Sequence, residues 1–106
     1  MADGLTAFLT ARLDEDEASA RDVRYIWPTS FEITLNPARV LREVEAGRAI
    51  LAEYGRIAES ARRYPNAANA AALIAMQTAV KHLVAVYSDH PDYRQEWAPA
   101  PATLDS

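Results

Sequence analysis

Between Asn66 and Ser88 the only fully charged side chain is Lys81, with His82 beside it. A stretch this poor in charge needs shielding from water, which constrains the rest of the chain. Leu73, Met76, Val80, Leu83, Val84 and Tyr87 recur at three- and four-residue steps, the period of one helix face. Ala72, Ala79 and Val86 widen that face past half the circumference. A helix apolar over so wide an arc is expected to be buried by more than one neighbour. The stretch therefore reads as the central post of a small helical domain. It does not read as a membrane span. Asn66, Asn69, Gln77, Thr78, Lys81 and His82 are spread through it, and a lysine near mid-span is costly in lipid.

A chain of 106 residues has the size of one domain. That domain is expected over residues 1–97, followed by a disordered tail, residues 98–106, with two prolines and no apolar pattern. Half the residues are hydrophobic, but many are alanines that each contribute little area. The core is therefore thin, and burial against a second copy is expected. There is no cysteine, which excludes disulfides and thiolate chemistry and fits a reducing compartment. Fifteen acidic against eleven basic residues give a net charge of −4, removing any general attraction to nucleic acid. The N-terminus has no basic region ahead of its apolar residues, so it does not read as a signal peptide. The expectation is a soluble, cytoplasmic protein without a cofactor.

Asp3 is a good cap for a first helix running from Gly4 to about Ala20, with Leu5, Phe8, Leu9 and Leu13 as its stripe. From Val23 to Leu35 the period shortens. Two β-branched and aromatic runs flank Pro28-Thr29-Ser30, the pattern of a short β-hairpin or, failing that, an extended loop. Asn36-Pro37 opens a second helix that holds its period to Tyr64, roughly 40 Å long. Gly47 lies in the middle of its apolar stripe, where close helix–helix approach would explain it. Pro65-Asn66 then forces the second and third helices antiparallel, as an αα-hairpin. The fold class is mainly α, a three-helix domain built on that hairpin. Ser88 to Asp92 break the third helix, and Asp92 is placed to cap a last turn carrying Tyr93 and Trp97.

Few residues offer chemistry, and none is assigned a catalytic or metal-binding role. Asp14, Glu15, Asp16 and Glu17 diverge by about 100° each, so they read as a solvated helix end rather than a cation site. Asp89, His90 and Asp92 set an imidazole between carboxylates, a trio that suits a general base or Zn²⁺, although stop chemistry at a helix end produces the same residues. On the second helix arginines alternate with glutamates, the pattern of a salt-bridged face and not of a nucleic-acid footprint. Tyr93, Trp97 and Trp27 are bulky aromatics outside the long helices, suited to capping the core or anchoring a partner. The binding candidates are accordingly Asp89, His90, Asp92, Tyr93, Trp97 and Trp27.

Three stretches, Phe8–Glu17, Asn36–Ala46 and Ser88–Trp97, taken in this order and at this chain length, resemble a family of small uncharacterised proteins from actinobacteria and their phages. Family members usually have a longer middle than Val23–Leu35. They tend to carry a histidine ahead of an acidic cap, where this chain has Leu35-Asn36. The resemblance implies a source and a fold, and no activity. The leading expectation is a protein–protein interaction module that associates with itself as a homodimer or higher, with no nucleic acid and no membrane. The alternatives are a small metal-dependent enzyme or ligand binder at Asp89–Asp92, and a phage-type accessory factor whose acidic surface blocks a host protein.

Overall fold

The computed structural model describes residues 4–22 and 36–100. Within them the chain forms α1 (Leu5–Asp22), α2 (Pro37–Arg63) and α3 (Ala67–Ala85), then a single 3₁₀ turn, Gln95–Trp97. No strand occurs among the described residues. The hairpin expected over Val23–Leu35, together with Trp27, lies outside them, as do Asp3 and residues 101–106.

Local signals place the helix ends. The Asn36 side chain accepts the Arg39 N–H at 3.1 Å and Pro37 follows at the first helical position. At the far end the Asn66 side chain accepts the Asn69 N–H at 2.8 Å, while the Asn69 side chain donates to the Tyr64 carbonyl at 2.7 Å. Both polar ends of the tight α2–α3 link are thereby satisfied, and the two helices run antiparallel. Gly4, at φ 88°, opens α1 in a conformation that favours glycine.

The burial pattern corrects one expectation. α2 is the middle helix, with α1 along one side and α3 along the other, and α3 is not a post enclosed by its neighbours. Only Val80 and Val84 of α3 are buried. Of the hydrophobic side chains buried among the described residues, Leu5, Phe8, Leu9, Leu13 and Ala20 all come from α1. The reason is reach. An alanine-rich arc has little side chain to insert, so the long side chains of α1 supply the core instead. Each Leu or Phe buried contributes about 1.5–3 kcal/mol.

Gly47 lets this happen. A Cβ built there would stand 3.1 Å from Leu13 Cδ2, so α1 and α2 meet where α2 has no side chain. That approach offsets the roughly 1 kcal/mol that glycine costs inside a helix. Arg48, one residue on, reaches across to Asp14 at 2.9 Å and Glu17 at 2.6 Å. The acidic run is thus not a solvated end alone. Glu15 pairs with Arg12 at 2.9 Å, Asp16 accepts from Tyr87, and Glu17 also meets Arg21 at the expected i,i+4 spacing. The mixed face of α2 is salt-bridged as its sequence implies, through Arg39–Glu43, Glu53–Arg56 and Glu59 with Arg62 and Arg63.

α1 has 18 residues against 27 in α2, so it cannot cover the whole hairpin. From Arg48 through Ala79 no residue is buried. The molecule is correspondingly elongated, 56 × 34 × 24 Å.

Candidate functional site

The chain after α3 folds back along α1 and delivers its aromatic residues to one side chain. Successive turns bring it round: the Tyr87 N–H donates to the Val84 carbonyl, the His90 N–H to Tyr87 and the Tyr93 N–H to His90, each at 2.9–3.0 Å. Phe8 then has four rings around it. The centroids of Trp97, His90, Tyr93 and Tyr87 lie at 5.1, 5.4, 6.2 and 6.4 Å, three of them edge-on. Edge-to-face packing suits the ring quadrupole and adds to the area term. Trp97 is 2% exposed, which makes it a core residue and removes it as a surface anchor. The last turn is not capped by Asp92. Arg94 occupies the cap position, where its side chain makes no capping hydrogen bond, and the Asp92 N–H donates to His90 Nδ1 at 3.0 Å.

Arg12 is the charged member of the cluster and only 8% exposed. Its guanidinium lies 4.8 Å from the Phe8 ring centroid, a cation–π arrangement, and one amino group meets His90 Nε2 at 2.7 Å. Arginine has no acceptor, so the imidazole must accept. A neutral imidazole has one lone-pair nitrogen, and here both nitrogens face donors. The ring can therefore accept from only one of these two donors, the Arg12 guanidinium or the Asp92 N–H, at a time. A metal at this ring would have to displace Arg12 or the Asp92 N–H and would sit beside a positive charge. Asp89 and Asp92 are exposed. Among the described residues no three His, Asp or Glu side chains are grouped to hold an ion. The Nε–H of Arg12 and the indole N–H of Trp97 are buried without a hydrogen-bond partner among the described residues.

His90→Ala is expected to cost about 1–3 kcal/mol, because it removes one hydrogen-bond partner of the largely buried Arg12 guanidinium and leaves Glu15 as the other. Arg12→Met, which removes the cation and keeps the stem, should stay within about 1 kcal/mol of the wild type. Urea denaturation of both variants checks this. A Zn²⁺-induced rise in melting temperature lost in His90→Ala would restore a ligand role for the ring.

At the other edge of the cluster the Tyr87 hydroxyl donates to Asp16 at 2.6 Å. Burial first, and this bond second, hold the Tyr87 hydroxyl well above the ordinary phenol range. Below pH about 10 the hydroxyl is protonated in both folded and unfolded chains, so its contribution is complete. Above that, the unfolded chain loses the proton first and stability falls as pH rises. In an alkaline titration followed at 295 nm, Tyr87 should ionise only as helicity is lost. Tyr87→Phe should remove one proton from the pH dependence of stability above pH about 10.

The sequence match extends over nearly all of this architecture. A family of unknown function (DUF6221) matches residues 2–99. The chain belongs to that family. No curated protein and no solved structure matches it. The family match spans α1, the hairpin and the C-terminal aromatic segment together, so the cluster around Phe8 lies wholly inside the family's extent.

Of the binding candidates, the structure brings His90, Tyr93 and Trp97 together on Phe8, and leaves Asp89 and Asp92 at the surface. Arg12, Asp16 and Tyr87 complete the cluster without having been singled out as a group. One signal for Arg12 was available. It falls at i+4 from Phe8 and one residue before Leu13, so a helix with that stripe turns it inward.

Proposed function

We propose that this chain is a protein–protein interaction module that associates with itself, in an actinobacterial or phage setting. One observation carries the reading. α3 has no charge before Lys81, yet it buries only Val80 and Val84, and Ile74 and Val86 are 63% and 74% exposed. A helix without a polar face is stable in water when something covers it. Within the chain, α2 and the N-terminal part of α1 cover part of it. The rest is apolar surface of the kind that marks an interaction site. No helix among the described residues is long and apolar enough to cross a membrane.

Size-exclusion chromatography with light scattering tests the proposal. The expected mass is at least twice the 11.7 kDa of the chain. A strict monomer at about 100 µM, the weak end of specific association, would set the proposal aside.

A further inference from the structure

The distal part of the α2–α3 hairpin carries a groove of about 700 Å³ whose walls include Thr6, Thr10, Leu51, Tyr54, Gly55 and Leu73. Gly55 is the unusual member. It sits inside α2 and bears the helix penalty of glycine, yet a Cβ added there would meet nothing within 4 Å. Gly47, by contrast, seats Leu13. No described residue uses the space that Gly55 leaves open. Near this groove, on the adjoining face of α3, Ile74 is 63% exposed.

We infer that two copies pair through this part of the hairpin, Ile74 of each entering the groove beside Gly55 of the other, to make a four-helix bundle with two-fold symmetry. The inference rests on the self-association reading and names its surface. Three observations select a second copy as the occupant.

The first is charge. Glu53 is paired with Arg56, and Glu59 with Arg62 and Arg63, all within one helix. From Pro65 to Val80 there is no charge at all. A surface that recognises a different, charged partner presents complementary charge to it. This one presents a neutral apolar face, which is complementary to itself, as an isologous contact requires. It is also where two chains of net charge −4 can approach with least repulsion.

The second is area. The face from Leu51 to Ala79 is roughly 20 Å long and two helices, about 20 Å, wide. That is about 400 Å² in projection, about half of the roughly 800 Å² each partner gives up in a standard interface, which suits a weak pair of copies.

The third is the reach of the chain's own remaining segments. Residues 23–35 are tethered at Asp22 and Asn36, so they extend at most roughly 23 Å out and back. Ile57, on the distal hairpin, lies about 32 Å along α2 from Asn36. Residues 23–35 therefore fall short of Ile57, and residues 1–3 and 101–106 together carry only two large apolar side chains, Met1 and Leu104.

Sedimentation equilibrium of the full chain decides. Ile74→Glu and Gly55→Leu change positions that are open in the single chain, so both should keep the helical circular dichroism of the wild type while raising the dimer Kd by more than about tenfold. Val86→Glu, equally exposed but at the other end of α3, should leave the Kd within about twofold. Gly55→Ala is the milder check, expected to raise helicity and weaken the dimer together. A dimer indifferent to Ile74→Glu or to Gly55→Leu overturns the inference and leaves self-association standing through another face. A wild type that stays monomeric at about 100 µM overturns both.

Discussion

Phe8→Ala should destabilise the protein by about 3–5 kcal/mol and release the C-terminal segment from α1. Phe8 is 7% exposed and touches four rings plus the Arg12 guanidinium. Truncation removes the surface on which Trp97, Tyr93 and His90 rest, leaving the Arg12–His90 hydrogen bond to hold the segment to this part of α1. A small domain has total stability of about 5–15 kcal/mol, so this single change removes a large share. With only two tryptophans in the chain, a Trp27→Phe background isolates the emission of Trp97. In that background Phe8→Ala should shift Trp97 emission to the red before the helices melt. A loss below about 1 kcal/mol with unchanged emission would show that the segment is held elsewhere.

Val84→Asp should be at least as damaging, above about 4 kcal/mol, the range reserved for buried unpaired charge. Val84 is fully buried, and it and Val80 are the two buried residues of α3. A carboxylate there must either be desolvated or prise α3 from the core. Val86→Asp, two residues along and 74% exposed, should stay within about 0.5 kcal/mol. Hydrogen exchange distinguishes the two outcomes by where protection is lost. Val84→Asp should free the α3 amides, and an unchanged denaturation midpoint would mean that α3 is held by contacts other than these two valines. Because α3 also forms one wall of the distal groove, undocking it should abolish any dimer as well.

The helix boundaries were legible because they rest on local chemistry. Asn36, Pro37 and Asn66 act on backbone groups within one turn of themselves. The i,i+3 and i,i+4 ion pairs of α2 were legible for the same reason. Gly47 announced a close approach, although not which helix would make it. The candidate site was legible only in part. Its C-terminal half, His90 to Trp97, stood out by residue type. Its other half is Phe8 and Arg12, and the contact between halves spans 78 residues of chain. Periodicity within one element carries no information about such a meeting. The role of His90 likewise changes once Arg12 is beside it, from a ligand between carboxylates to a ring facing a buried cation.

Composition and periodicity determined three helices, their order and the antiparallel hairpin, since each follows from backbone propensity and side-chain size. Tertiary structure decided which helix fills the core, and that a shorter α1 leaves the distal hairpin open. Those outcomes depend on relative lengths and on where Leu13 meets Gly47. They are properties of pairs of elements, set by packing across the chain.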